Sequence, residues 1–162
     1  MCSEAAPQPV EGTGIAPALN VLGTTLKCCC ADVRGTGTGT GFFRDGHCST
    51  GPMDEGSHTV CVKVTSKFLE FSRAMGNDLS TPYPQYAFPG LVDGDIWCLC
   101  AQRWVQAHEM GFAPKLYLQA THENTLQHTS LELLQTYAID LEEGLAARKE
   151  LDEKRAGLEG LL

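Results

Sequence analysis

The sequence predicts an α+β domain, a small mixed β-sheet packed by short helices, with a helical extension at the C-terminal end. Three observations carry this expectation. A β-branched run with strict alternation, His58-Thr59-Val60-Cys61-Val62-Lys63-Val64, reads as a strand. A second apolar run, Ile96-Trp97-Cys98-Leu99-Cys100, opens after the turn signal Gly94-Asp95. Around these runs, apolar residues recur at helical spacing behind capping residues.

Taken in order, residues 1–18 are rich in Ala, Pro, Gly and Glu without apolar periodicity and predict a disordered leader. A single globular domain is expected over 19–140. It enters through Asn20-Val21-Leu22-Gly23 and the triplet Cys28-Cys29-Cys30, of which at most two side chains can face one site. The Gly-Thr run at 35–41 reads as a flexible loop insert. It lacks the Lys of a phosphate loop and the flanking strand and helix of a dinucleotide fingerprint.

The first strand is expected at 59–64, with Val60, Val62 and Val64 on one face and Thr59, Cys61 and Lys63 on the other. His58 joins the valine face if the strand already starts there. Thr65 caps a helix over 66–75 that Gly76 stops. A long Pro-rich loop with Pro82, Pro84 and Pro89 spans 77–94, a length that is functional or tightly packed in a small domain. A second strand at 96–100, a helix at 101–110 turning Trp104 and Ala107 inward, and a third strand at 115–119 suggest a short parallel crossover. Thr129-Ser130-Leu131-Glu132 is a capping box for a helix over 130–138. A charged helical extension occupies 141–162, its helix running to about 158, with Glu150 and Lys154 spaced for an ion pair and no heptad of leucines.

The chain has 162 residues, 43% of them hydrophobic, which is enough for one domain with a real core. Its net charge is -8, and Lys and Arg are scattered singly, so nucleic acid is not an expected partner. No apolar run reaches membrane-span length, and Met1 to Pro9 has neither the basic start nor the apolar run of a signal peptide. A cytoplasmic, soluble protein with no membrane partner is the expectation, and its eight cysteines are then expected to be reduced. In that compartment, clustered cysteines serve as metal ligands, catalytic groups or core filler.

Cys98 and Cys100 share a strand face roughly 6–7 Å apart. Three readings stay open. The first is a zinc site joining Cys98 and Cys100 with Cys48, Cys61, His58 or His122, since thiolate and imidazole together suit tetrahedral zinc. No Cys-x-x-Cys pair sharpens that reading. The second is a small-molecule enzyme, with Cys100 or Cys48 as nucleophile beside His58 or His122; Cys100 precedes a helix and lies near Arg103. The third is an interaction module whose thiols fill the core and whose C-terminal helix meets a protein partner. Arg44, Asp45, Asn77, Asp78 and Arg103 are further polar candidates, although Asn and Asp in loops commonly satisfy local backbone. His47-Cys48 opens like a cysteine phosphatase loop, but Asp54 and Glu55 stand where a phosphate-clamping Arg is needed, which excludes that chemistry.

An ordered series of segments carries a family resemblance: Asn20-Val21-Leu22-Gly23, Gly41-Phe42-Phe43-Arg44-Asp45-Gly46, Cys48 to Pro52, Ser57 to Cys61, Gly76 to Pro82, Phe88-Pro89-Gly90-Leu91, Asp95 with Trp97 to Cys100, Arg103-Trp104 and Ala120-Thr121-His122. Over about residues 20–138 the chain resembles the mostly bacterial family filed as domain of unknown function 2237. The resemblance implies a stand-alone single domain and carries over no catalytic residue. The Gly-Thr insert, the Cys triplet, the leader and the charged C-terminal helix depart from the family pattern.

Overall fold

The structure, a computed structural model, describes residues 18–161. The expected leader therefore lies outside the described residues, Ala18 excepted. The strand predicted around the valines is β1 (His58–Lys63), and it takes the centre of a three-stranded sheet between β2 (Ile96–Cys100) and β3 (Lys115–Leu116). Val60, Cys61 and Val62 are all fully buried, so β1 is apolar on both faces, as a central strand must be.

Both neighbours run antiparallel to β1, so the sheet is not mixed. Among the described residues, a parallel contact survives only as an isolated bridge between Leu116 and Ala138. β2, α2 (Ala101–Glu109) and β3 do connect two strands of the same direction, but β1 lies between them. The crossover is split rather than adjacent, and its helix spans two strand spacings. The third strand is also shorter than expected. Beyond it the N–H groups of Leu118 and Gln119 donate to the Asp140 carboxylate at 2.7 and 3.1 Å, and Leu118–Ala120 turns as a 3-10 helix.

α1 (Ser66–Ala74) starts where Thr65 Oγ1 accepts from the Phe68 N–H at 3.1 Å, and it buries Phe68 and Leu69. α2 buries Trp104, whose indole N–H donates to the Pro114 carbonyl at 3.1 Å, so the ring is inside without an orphaned donor. The valines of β1, Trp97 and Leu99 of β2, Leu116, Phe68, Trp104 and Leu134 make one core on this face. α3 (Leu131–Thr136) is capped by Ser130 and ends early, because Ile139 N–H returns to the Leu116 carbonyl at 2.8 Å.

α4 (Leu141–Glu159) seats its first turns on the domain. Gly144 is buried where a Cβ would meet Leu22, and Arg148 Nη1 donates to the Leu22 carbonyl at 2.7 Å. Further along, the Glu150–Lys154 pair forms at 3.1 Å on the exposed surface and is worth a few tenths of a kcal/mol.

The opposite sheet face is covered by residues 28–50. Here the expectation of reduced thiols fails: Cys29 is bonded to Cys61 of β1, and Cys48 to Cys98 of β2. Cys61 and Cys98 face each other across the ladder, so the two links sit side by side. The same segment closes the free edge of β2, where Thr40 Oγ1 accepts from the Cys98 N–H at 2.7 Å. The second half of the Gly-Thr run is thus not a free loop. Thr40 is wholly buried and pairs with Cys30 and Gly46 through its backbone. Gly41 has φ +94° with the His47 carbonyl where a Cβ would stand, which only glycine tolerates.

Candidate functional site

β1 carries one extra residue near its start. His58 pairs with Cys100, but Val60 already pairs with Leu99, so Thr59 is a bulge. α2 follows directly, with Cys100 as its N-cap residue. The bulge and the immediate helix start turn Cys100 away from the face it would share with Cys98 by strict alternation. Cys98 is buried among the bonded sulfurs, whereas Cys100 is a free, half-buried thiol lining a cleft on the valine side.

That cleft encloses about 540 Å³. Its walls are aromatic: Phe42, Tyr83, Tyr86, Phe88 and Trp97. His58, Cys100, Arg44, Arg103, Asn77 and Asp78, drawn from four separate segments, supply its polar groups. The Pro-rich loop builds one wall through a 3-10 turn at Pro84–Tyr86, closed by the Tyr83–Phe88 bridge.

His58 is held by Asp54. The Asp54 Oδ1 to His58 Nδ1 distance is 2.6 Å, and Asp54 Oδ2 accepts from the Thr50 hydroxyl and the His58 backbone N–H, each at 2.9 Å. Burial alone would push the Asp54 carboxyl up, but those hydrogen bonds, the His58 ring first, outweigh it and hold the group below its usual value. An ionised Asp54 can only accept, so the Nδ1 of His58 carries the proton and its Nε2 is left as a base when the ring is neutral. Gly56 lies against the imidazole, where an added Cβ would come within 2.5 Å of Cε1.

Arg44 stacks over the Trp97 ring at 5.1 Å and donates from Nη1 to the Gly41 carbonyl at 2.7 Å. Its Nε is buried without a partner, and burial lowers its pKa. Arg103 donates from Nη1 to the Met75 carbonyl at 3.1 Å and to Gln106 at 3.3 Å. Among the described residues, Arg34, Arg44, Ser57 and Ala87 are the non-glycine residues with positive φ; Arg44 lines this cleft, and Ser57 and Ala87 are chain neighbours of lining residues. Left-handed backbone at such residues costs of order 1–3 kcal/mol and gathers at functional sites.

The remaining sequence candidates lie elsewhere. Asp45 is an exposed turn residue accepting from the His47 N–H at 3.0 Å. The Asp78 carboxylate, although at the cleft, accepts from the Thr81 hydroxyl and the N–H groups of Ser80 and Thr81, which hold it below its usual value. His122 is no ligand partner for the sulfurs: its Nδ1 accepts from the Asn124 N–H at 3.0 Å and caps a 3-10 turn. Burial lowers its pKa, offset in part by Glu123. Cys48, Cys61 and Cys98 gather as the metal reading required, but with Cys29 in place of Cys100. The sulfurs of Cys29, Cys48 and Cys61 lie within 4.8 Å of one another, and Cys98 is bonded to Cys48.

A family model described as an uncharacterized protein conserved in bacteria, DUF2237, matches residues 19–138. The chain belongs to the DUF2237 family. Cleft and sulfur cluster both fall inside the matched DUF2237 span, whereas α4 begins beyond it. No curated protein matches the chain. Among the described residues, no helix is long and apolar enough to cross a membrane. Two DUF2237 residues escaped the sequence reading: Cys29, hidden in the triplet, and Asp54, whose four-residue spacing to His58 across Gly56-Ser57 was the available signal.

Proposed function

We propose that the chain is an enzyme acting on a small molecule, with Cys100 as nucleophile, His58 as base and Asp54 as the group that orients His58. One observation carries this reading: a free thiol and an Asp-held imidazole, paired across β1 and β2, open into the same aromatic cleft. His58 Nε2 takes the thiol proton, the sulfur attacks an electrophilic carbon such as an ester or thioester carbonyl, and the imidazolium returns the proton to the leaving group. Water then attacks the acyl-sulfur bond with the same base, releasing the acid and restoring the thiol. The aromatic walls suit a flat apolar body, and Arg44 and Arg103 favour an anionic group on it.

The test is alkylation of Cys100 by iodoacetamide at neutral pH, together with hydrolysis of a panel of aryl esters and thioesters. His58→Gln is expected to slow alkylation at least tenfold, and Cys100→Ser to abolish turnover. Equal alkylation rates with no turnover by the parent protein would sink the proposal.

A second reading, zinc binding, is favoured by the buried sulfur cluster. Cys29, Cys48, Cys61 and Cys98 cluster there as two disulfides, so this reading applies to the reduced chain, and His58 and His122 are engaged by Asp54 and Asn124 instead. Metal analysis of protein purified under reducing conditions tests it: near-stoichiometric zinc should be lost in Cys48→Ser/Cys98→Ser.

A further inference from the structure

We infer that the disulfides and the zinc site are two exclusive states of the same four sulfurs, so that zinc is held only while both links are reduced and is expelled as they re-form. This rests on the zinc reading above. A disulfide sulfur has no thiolate to offer a metal, so the two states cannot coexist.

The placement of the four residues supports both states. In each bonded pair one cysteine sits on a strand and the other on the covering segment: Cys61 on β1 with Cys29, and Cys98 on β2 with Cys48. Cys61 and Cys98 are held opposite each other by the ladder, so half of a tetrathiolate site is fixed by the sheet. Zinc–sulfur bonds near 2.3 Å place tetrahedral ligands about 3.8 Å apart. The Cys29, Cys48 and Cys61 sulfurs already lie within 4.8 Å of one another, and Cys98, bonded to Cys48, has to swing inward to complete the set. The surroundings are Ala120 with Ile96 and Tyr117, a largely apolar wall. A hollow of about 210 Å³ reaches Cys29 and Cys61 past Lys27, Tyr117 and Asp140, giving reductant and metal a way in.

The chemistry balances with a dithiol as reductant and a peroxide as oxidant. Two dithiols each give two electrons and two protons, converting two disulfides to four thiols and leaving as cyclic disulfides. Zinc then displaces the four thiol protons. In reverse, two hydrogen peroxide molecules and four protons convert the zinc tetrathiolate to two disulfides, free Zn²⁺ and four water molecules.

The experiment uses the full chain, reduced with a phosphine, loaded with zinc chloride, freed of excess metal and then titrated with hydrogen peroxide. Zinc release is followed with a chromogenic chelator, and free thiols are counted on the same samples. About one zinc per chain is expected in the reduced form and none in the oxidised form, with zinc release tracking the loss of the Cys29, Cys48, Cys61 and Cys98 thiols, read apart from the other cysteines by alkylation and peptide mass spectrometry. Cys29→Ser/Cys61→Ser should weaken zinc binding at least tenfold, while Cys100→Ser and Cys30→Ser leave it unchanged. Zinc retained in oxidised protein with both links intact would overturn the inference while leaving metal binding elsewhere standing. A reduced protein that takes up no zinc would sink both readings. If reduction unfolds the chain, far-UV circular dichroism decides: zinc should restore the signal, and failure to do so refutes the site.

Discussion

Replacing both Cys48 and Cys98 with alanine removes the link between the covering segment and the edge strand, and its cost follows from chain separation. The bond closes a separation of 50 residues. Loop-closure entropy for that length corresponds to about 4 kcal/mol at room temperature. Cys29–Cys61, with a separation of 32, comes to about 3.7 kcal/mol on the same basis. The two loops interlock, since Cys48 lies between Cys29 and Cys61, so losing both costs less than the sum. Both Cys48 and Cys98 sulfurs are in a packed cluster, and their removal adds of order 1 kcal/mol of lost contact. Against a total stability of about 5–15 kcal/mol, this is a large loss, equivalent to roughly 10 °C or more in Tm for a domain of this size. Urea unfolding without reductant is the assay. The variant should show a lower midpoint and a larger m-value, because its unfolded chain is no longer cross-linked. Zinc-free parent protein in reductant should lose at least as much. A variant within 1 kcal/mol of the parent, or a parent indifferent to reductant, would refute the reasoning.

Three further outcomes follow from single contacts. Arg34 bonds the buried Asp95 carboxylate at 2.8 Å and the Gly90 carbonyl at 2.6 Å, so Arg34→Ala should cost about 1–2 kcal/mol, discounted because Arg34 is itself 39% exposed. Since Arg34 has φ 50°, Arg34→Gly should lose less than Arg34→Ala in Tm, and the reverse order would count against this account. Burial lowers the His122 pKa, so the unfolded chain takes up a proton that the native chain resists. The stability is full above the ordinary imidazole value and falls as pH drops below it; His122→Asn, which keeps a capping oxygen, should flatten that slope in urea midpoints between about pH 7 and 5.5. Gly56→Ala should push the His58 ring off Asp54 and slow Cys100 alkylation severalfold, and an unaltered rate would show that the ring position does not matter.

The strand pattern was legible because β-branched alternation reports burial directly: the valines of β1 do face the main core and Cys61 does face away. The Thr65 cap and the Glu150–Lys154 pair depend on neighbours within four residues and were equally readable. Strand order was not, because β1 is placed between β2 and β3 by packing on both of its faces, which no local pattern encodes. The cysteine pairing was out of reach for a related reason, since eight cysteines admit 105 connectivities. For Cys100 the misplacement arises where β2 passes directly into α2 opposite the Thr59 bulge of β1, so strict alternation no longer holds at that residue. Asp54 was read by what it lacked, a positive charge for phosphate, although its own chemistry makes it the partner of His58.

The two faces of the sheet are not independent. Trp97 and Cys98 are neighbours on β2, so one side chain walls the cleft while the next anchors the covering segment behind it. From that anchor the chain runs back past the edge of β2, where Thr40 takes the Cys98 N–H, and it delivers Phe42 and Arg44 into the cleft. Arg44 holds its place there through the Gly41 carbonyl and the Trp97 ring, in a left-handed conformation that costs free energy. Such a conformation persists only while its surroundings over-determine it, and the Cys48–Cys98 link is one of the constraints that do so. The sulfur chemistry on one face therefore sets how firmly the cationic wall of the cleft is held on the other.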